Sequence, residues 1–103
     1  MTHKEKFKPP HPGELILEDC MKPLQLTIVE ASSALKTSRK NLSTLLHGRI
    51  GISADMAIRL AQVFGSTPKF WLDLQANYDL AHAESRLKKW KPARTYIGAE
   101  ART

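Results

Sequence analysis

Helix start signals recur along the chain at short intervals, and they leave little length for any other kind of element. Each signal is a proline or a hydroxyl-bearing residue in front of a segment with helical apolar spacing, and they stand at Pro12, Thr27, Ser38, Ser53 and Thr67-Pro68. Thr27 is followed three residues later by Glu30, which is the pattern of a capping box. The last segment is the longest and extends to about Lys89. The sequence therefore predicts an all-α fold of five helices, of which the last is long.

The length of 103 residues allows one domain with one hydrophobic core. We expect a basic N-terminal arm at residues 1–11, a helical domain at residues 12–91 and a short tail at residues 92–103. The first residues lack the apolar segment of a secretory signal, and no apolar run approaches the roughly 20 residues of a membrane span. Because Cys20 is a lone cysteine and cannot form an internal disulfide, the cytoplasm is the expected compartment.

The segment from residue 31 to residue 54 contains no Asp or Glu, although the whole chain contains ten acids. Here the second and third predicted helices meet at a tight turn near Lys36-Thr37, which matches a DNA-binding helix-turn-helix. The second helix of such a unit enters the major groove, where a carboxylate would be repelled by the phosphates. Together with the formal net charge of +6, the missing acids predict that the chain binds double-stranded DNA.

The third predicted helix has two contrasting faces. Its apolar face consists of Leu42, Leu45 and Leu46. Its polar face consists of Arg39, Lys40, Ser43, Thr44 and His47. Arg39 or Lys40 can donate to guanine O6 and N7, and Asn41 can pair with adenine.

Phosphate contacts are expected where the N-terminus of a helix points at the DNA. The N-termini at Thr27 and Ser38 each offer backbone N–H groups to which a phosphate oxygen can bond. Arg49 stands just beyond the third helix, after Gly48, which suits a left-handed helix end. This position predicts an ionic contact between Arg49 and the DNA backbone.

The last helix carries two apolar stripes at helical spacing. The first is explained by core packing and consists of Trp71, Leu74, Tyr78 and Ala81. The second, rotated around the helix axis, consists of Leu80, Ala83, Leu87 and Trp90. A small monomer has little left to cover this second stripe, so we expect it to be buried in a homodimer. The alternative is a frayed helix end with Trp90 folded back onto the domain.

Three segments of the sequence resemble one known family. They are "HPGELILEDCMKPL" at the start of the domain, "HGRIGISADMAIRLAQVFG" after the third helix, and "STPKFWLDLQANYDL" in the last helix, the most specific of the three. Over about residues 11–82 the chain resembles the HigA/VapI group of antitoxins, within the lambda-repressor-like (Xre) helix-turn-helix family. The resemblance implies a homodimer on a palindromic operator, with half-sites roughly 34 Å apart, and repression of the chain's own operon. It also implies capture of a HigB-type toxin, a small ribonuclease that cleaves mRNA.

By position, the base-reading sites of this family fall on Arg39, Lys40 and Thr44, with phosphate contacts at Thr27 and Arg49. Taken with the polar face of the third helix, the resemblance implies that bases are read by Arg39, Lys40, Asn41, Ser43 and Thr44. The residues expected to contact the DNA backbone are Thr27, Thr37, Ser38, His47 and Arg49.

The surface that binds the toxin is not identified by composition or spacing. Glu14 and Glu18 lie one turn apart on the first helix, with Asp19 adjacent, and this acidic face is a candidate contact for a basic toxin. The alternative is a solvated helix face whose acids also suit the helix N-terminus.

Two residues depart from the pattern of the family. Lys36 stands in the turn where the family commonly has Gly, and a left-handed Lys costs on the order of 1 kcal/mol, so one expectation is a reshaped turn. Ser32 replaces a small buried Ala in the preceding helix, and its hydroxyl can bond back to a backbone carbonyl. Both residues bear on the pose of the reading helix.

Other classes of function find little support in the residues. The histidines are scattered at His3, His11, His47 and His82, with no pair at a metal-ligand spacing and no second cysteine. Cys20 lies on an apolar helical stripe, which is typical of buried filler rather than of a nucleophile. We therefore expect no metal, no cofactor and no catalytic activity. A stand-alone Xre-type repressor without a toxin remains the alternative, because its DNA contacts would be identical.

Overall fold

The structure, a computed structural model, describes residues 8–98. Its elements are α1 (Pro12–Leu15), which continues directly as a π-helical segment (Ile16–Met21), α2 (Ile28–Leu35), α3 (Arg39–Leu46), α4 (Ala54–Phe64) and α5 (Pro68–Arg86). Within the described range the prediction of an all-α fold of five helices is confirmed, with α1 and its π-helical continuation counted as one helix.

Each helix begins at one of the signals read from the sequence. At Thr27, Ser38, Ser53 and Thr67 the side-chain oxygen accepts the backbone N–H of the residue three positions further on, over 2.9–3.1 Å. At Thr27 the Glu30 carboxylate also accepts the Thr27 backbone N–H, which completes the capping box. The cap of α1 is the imidazole of His11, which accepts the Gly13 N–H. These bonds satisfy N–H groups that a helix by itself leaves unpaired.

One apolar core holds the helices together. It consists of Ile16, Met21, Ala31, Leu35, Leu42, Leu45, Ile52, Met56, Ala57, Leu60 and Trp71. Fully burying a side chain of the size of leucine contributes roughly 1.5–3 kcal/mol, so the buried leucines of α2, α3 and α4 anchor the domain. The polar face of α3 is turned outward because Leu42 and Leu45 are buried on the opposite face.

The second half of the first helix has a wider winding than the sequence predicts. The Lys22 backbone N–H bonds to the Leu17 carbonyl, five residues earlier, over 3.0 Å, which is the π-helical pattern. Ile16 and Met21 are also five residues apart, and both lie in the core. The π-helical turn thus brings two large apolar side chains onto the same inner face.

The last helix is shorter than predicted, because α5 ends at Arg86 and not near Lys89. Leu87 leaves helical geometry at φ −98° and ψ 16°, and every residue from Glu84 to Gly98 is exposed. Without tertiary contacts nothing offsets the fraying of a helix end.

The predicted arm at residues 1–11 lies mostly outside the described residues, and so does the end of the predicted tail at residues 92–103. No helix in the described range has the length and apolar character that crossing a membrane requires.

Candidate nucleic-acid interface

α3 presents outward the polar face that the sequence predicts for reading DNA. Leu42 and Leu45 are buried beneath it, which fixes the rotation of the helix about its own axis. Among its polar residues Arg39, Lys40, Asn41 and His47 are exposed, and Ser43 and Thr44 are half-buried. The predicted base-reading residues therefore all lie on one helix, away from the core.

The outward face of α3 carries positive charge without a matching negative charge. The ion pairs of the described residues are Glu18–Lys22, Asp55–Arg59 and Lys69–Asp73. None of them includes Arg39, Lys40 or Arg49, and the first turn of α3 contains no acid. These three cations are thus available to phosphates or base edges.

Several polar side chains of α3 are held by hydrogen bonds close by in the chain. Asn41 donates from Nδ2 to the Thr37 hydroxyl over 2.8 Å, and the Thr44 hydroxyl donates to the Lys40 carbonyl over 2.8 Å. His47 is bonded one turn back in a similar way. Asn41 keeps its Oδ1 and the second hydrogen of Nδ2, which are the two groups that bidentate pairing with adenine requires.

The two helix N-termini at which phosphate contacts are predicted differ in their electrostatics. At α2 the Glu30 carboxylate lies 2.9 Å from the Thr27 nitrogen and 3.2 Å from the Thr27 hydroxyl oxygen. A phosphate at Thr27 would meet that negative charge, which opposes the contact. At α3, Ser38 caps the helix and no acid lies in the first turn. The N-terminus of α3 is therefore the better anion site of the two.

The turn between α2 and α3 keeps its left-handed geometry although Lys36 occupies it. Lys36 has φ 56° and ψ 47°, and the N–H groups of Lys36 and Thr37 bond to the carbonyls of Ser33 and Ser32 over 3.1 and 3.0 Å. This pair of bonds is a Schellman motif, so the expectation of a reshaped turn is wrong. The buried Ser32 donates its hydroxyl to the Val29 carbonyl over 3.2 Å, as its sequence position predicts.

Gln75 of α5, which no sequence pattern singled out, fixes the loop after α3. It is 8% exposed, and its Oε1 accepts the Ile52 backbone N–H over 2.8 Å while its Nε2 donates to Asp79. The same side chain packs against Gly51, where a Cβ would lie 3.1 Å from it. The loop that begins with Arg49 is therefore positioned by the long helix.

Arg59 of α4 is a second residue without a sequence signal, and it reaches the turn between α2 and α3. Its Nη1 donates to the Leu35 carbonyl over 3.1 Å and to the Lys36 carbonyl over 2.8 Å. Its Nε pairs with Asp55 Oδ1 over 2.7 Å. The side chain thus bridges α4 to the segment that leads into α3.

His11 joins the start of α1 to the loop after α3. Its Nδ1 accepts the Gly13 N–H over 2.9 Å, and its ring lies edge-on to Tyr78 with centroids 4.8 Å apart. Burial lowers the pKa of His11, against smaller opposing effects of a hydrogen bond with the Ile50 backbone and of the Asp79 charge. A lowered pKa favours the neutral imidazole, which Nδ1 needs in order to accept a hydrogen bond.

The outer face of the first helix carries the acids predicted as a toxin contact. Glu14, Glu18 and Asp19 are all exposed, and Glu18 is paired with Lys22 over 2.8 Å.

Cys20 packs against the core, where burial raises the pKa of its thiol, with the Asp19 charge as a smaller cause. A thiol that stays protonated is a poor nucleophile, which agrees with a packing role for Cys20.

The second stripe of the last helix is uncovered. Leu80, Leu87 and Trp90 are 58%, 53% and 63% exposed, and Ala83 is half-buried. Trp90 lies beyond the end of α5, so the helix end is frayed as the alternative expects, but Trp90 is not folded back onto the domain. Exposed apolar surface of this kind is a candidate for contact with a second copy of the chain.

No protein-family model matches the chain, but individual relatives match most of its length. The chain is 44% identical over 99 residues to virulence-associated protein A' of Dichelobacter nodosus, and the aligned segment covers 90% of this chain and 85% of that protein. It is 31% identical over 86 residues to antitoxin HigA-1 of Vibrio cholerae, and this alignment covers 84% of this chain and 81% of that protein.

Two solved structures with the same fold contain DNA. PA4674 of Pseudomonas aeruginosa, in complex with its operator DNA, matches with a TM-score of 0.76 and 35% identity over 80% of this chain and 86% of that one. The Pseudomonas aeruginosa antitoxin HigA with the higBA promoter matches with a TM-score of 0.75 and 32% identity over 84% of this chain and 100% of that one. Identity at this level over most of both chains establishes a shared family as well as a shared fold. The chain is therefore a member of the HigA/VapI group of antitoxins and transcriptional regulators, within the lambda-repressor-like (Xre) helix-turn-helix family.

Proposed function

We propose that the protein is a sequence-specific DNA-binding antitoxin that represses its own toxin-antitoxin operon and neutralises a small, mRNA-cleaving toxin of the HigB type. The observation that carries the DNA-binding part is the outward face of α3, where Arg39 and Lys40 lie in no ion pair of the described residues and where the helix has no acid. A face of this composition on the second helix of a helix-turn-helix suits the major groove.

The side chains divide into those that read bases and those that hold the DNA backbone. Arg39 and Lys40 lie in the first turn of α3, the part that enters the groove, and they offer donors to guanine O6 and N7. Arg49, in the loop positioned by Gln75, is assigned to a phosphate, and the open N-terminus at Ser38 is assigned to another.

The operator is proposed to be palindromic and to be bound by a symmetric dimer. The second stripe begins on α5 at Leu80 and continues beyond the helix to Leu87 and Trp90, and it supports this proposal because these three apolar side chains are exposed in the single chain. Two recognition helices related by a two-fold axis would then read half-sites about one helical turn, roughly 34 Å, apart. We assign operator binding and dimer formation to the domain at residues 12–91. We place the protein in the cytoplasm, where operator DNA is accessible.

Toxin neutralisation is supported by membership of the antitoxin group and by the acidic outer face of the first helix. Glu14, Glu18 and Asp19 would face a basic toxin, with charge complementarity that favours association. The alternative is a stand-alone repressor with the same DNA contacts and no toxin. Co-expression with the adjacent reading frame separates the two, because an antitoxin rescues growth and co-purifies with the toxin, whereas a stand-alone repressor does neither.

The DNA-binding part is tested on the chain's own promoter. Affinity should fall steeply as salt rises, since each neutralised phosphate releases counterions and contributes a log–log slope of about −0.9. Fluorescence anisotropy with a labelled promoter duplex over a salt series measures this slope. Purified protein without salt-sensitive affinity for that promoter would remove the basis of the proposal.

Replacing Arg39 by alanine should weaken operator binding by about 1–3 kcal/mol and relax the preference at one base position, because a bidentate contact to guanine is lost. Titration of the operator and of its single-base variants at fixed salt measures both effects. Equal weakening on every sequence would contradict the base-reading role of Arg39.

Replacing Arg49 by alanine should weaken binding to all sequences to a similar degree and make the salt slope shallower by about one unit, because one phosphate contact is lost. Lys69→Ala is the matched control, since it also removes one positive charge. That charge lies on α5, away from α3, and is paired with Asp73 of the same helix. An Arg49→Ala slope equal to that of the Lys69→Ala control would rule out the phosphate contact.

A further inference from the structure

The helices of the helix-turn-helix end in the same backbone motif but with different residues in it. After α2 the left-handed residue is Lys36, and after α3 it is Gly48, with φ 56° and 72°. In both motifs two backbone N–H groups fold back to the last turn of the helix. Glycine adopts this conformation freely, whereas lysine is strained there because its Cβ crowds the backbone. The turn that leads into the reading helix is therefore the strained one of the two.

The Arg59 side chain meets the backbone at this strained turn. Its Nη1 donates to the Leu35 and Lys36 carbonyls over 3.1 and 2.8 Å, from a position 23 to 24 residues further along the chain. Asp55, one turn earlier on α4, holds the guanidinium from behind through Nε at 2.7 Å. The same side chain thus connects α4 to the two consecutive peptide groups on either side of Lys36, where α2 ends.

The charge and the geometry of Arg59 both suit that end of the helix. The last carbonyls of a helix have no partners within it, and together they form the negative end of the helix dipole. The Schellman bonds use the carbonyls of Ser32 and Ser33, and the carbonyls of Leu35 and Lys36 are left to Arg59. A guanidinium supplies donors and positive charge at once, and therefore stabilises the left-handed conformation that Lys36 by itself opposes.

We propose that Arg59 is a positioning residue for DNA reading, which holds the strained turn at Lys36 and thereby sets the direction of α3 without touching DNA. Two residues, Thr37 and Ser38, separate the left-handed Lys36 from the first residue of α3. A change in backbone direction at Lys36 is therefore passed to the first turn of α3, which carries Arg39 and Lys40. The inference rests on the proposed DNA-binding function and adds a residue to it that lies outside the DNA-facing surface.

The test compares operator and non-operator duplexes of equal length for Arg59→Met, which keeps a long aliphatic stem and removes every donor. The expected result is a loss of roughly tenfold or more in operator affinity with unchanged affinity for the non-operator duplex, since positioning affects base reading and not the overall charge attraction. The double variant Asp55→Asn/Arg59→Met keeps the net charge of the native chain and should lose as much operator affinity as Arg59→Met does. Asp55→Asn alone keeps an oxygen that can accept the Arg59 Nε–H and leaves both bonds from Nη1 in place, so it should lose much less operator affinity than Arg59→Met does.

A second substitution, Lys36→Gly, separates positioning from a general structural role. Glycine needs no support in the left-handed conformation, so Lys36→Gly/Arg59→Met should regain most of the operator preference that Arg59→Met loses. Thermal unfolding is followed by circular dichroism for every variant. If Arg59→Met is too unstable to assay, Lys36→Gly/Arg59→Met is compared with Lys36→Gly instead. In that background the loss of Arg59 should lower operator affinity by less than about threefold.

Four results would overturn the proposal: native operator preference in Arg59→Met, an equal loss on both duplexes, no recovery with Lys36→Gly, or a loss of operator affinity above about threefold when Arg59 is removed in the Lys36→Gly background. Failure of the proposed function looks different, because then the native chain itself would not prefer its promoter.

Discussion

A single methyl group added at Gly13 should remove much of the stability of the domain. A Cβ at this position would lie 2.0 Å from the Leu45 carbonyl oxygen, 2.9 Å from the Leu45 carbonyl carbon and 3.0 Å from the Leu46 Cα. All three are backbone atoms, so no side chain can rotate away, and the first helix would have to move off the end of α3. Overpacking of this severity costs about 3 kcal/mol or more, out of the roughly 5–15 kcal/mol that stabilises a typical domain.

Urea denaturation of Gly13→Ala, followed by circular dichroism, measures this loss in the free energy of unfolding. Gly48→Ala is the matched control, because Gly48 has φ 72° but the atom nearest to its added Cβ is the His11 Cγ at 3.4 Å, an ordinary van der Waals contact. That control should cost only about 1 kcal/mol, the penalty for a side chain at positive φ. Similar losses in the two variants would mean that the first helix does not pack against α3 at this distance.

If the protein forms the proposed homodimer through Leu80, Leu87 and Trp90, replacing Trp90 by alanine should dissociate it and weaken binding to the proposed palindromic operator. Trp90 is 63% exposed in the single chain and stands at the end of the second stripe, after Leu80 and Leu87. Tryptophan is enriched among the interface residues whose truncation costs about 2 kcal/mol or more, so the dissociation constant of the dimer should rise by about thirtyfold or more. A monomer contacts one half-site only, and operator affinity should fall accordingly.

Sedimentation over a concentration series measures the dimer constant of Trp90→Ala. Tyr96→Ala is the matched control, since Tyr96 is an exposed aromatic residue that lies beyond the stripe. It should keep the mass and the operator affinity of the native chain. An unchanged mass of Trp90→Ala would contradict the assignment of the second stripe as the dimer contact.

The helix starts and the outward polar face of α3 could be predicted because their causes are local. Ser38 caps α3 through a bond to a residue three positions away, and the capping box at Thr27 is equally short in range. The alternation of buried leucines with Arg39 and Lys40 along α3 follows from the helical period alone. Family membership could also be predicted, since it depends on the quoted segments and not on coordinates.

The residues that hold this face in position could not be predicted in the same way. Gln75 lies four positions after Trp71 on an inward-facing stripe, but a polar residue there does not name its partner, the Ile52 N–H. Arg59 is one of many cations on the helices, and its bonds to the turn at Lys36 connect residues 23 to 24 positions apart.

The sequence by itself determined where the helices begin, which side of α3 faces outward and the family to which the chain belongs, because each depends on neighbours within about one helical turn or on a short motif. Only the tertiary structure decided that the strained turn at Lys36 is kept, that α5 ends at Arg86 and that Gly13 admits no side chain. Those outcomes depend on which distant backbone groups the packed core brings within hydrogen-bonding or van der Waals distance, and no local pattern encodes that.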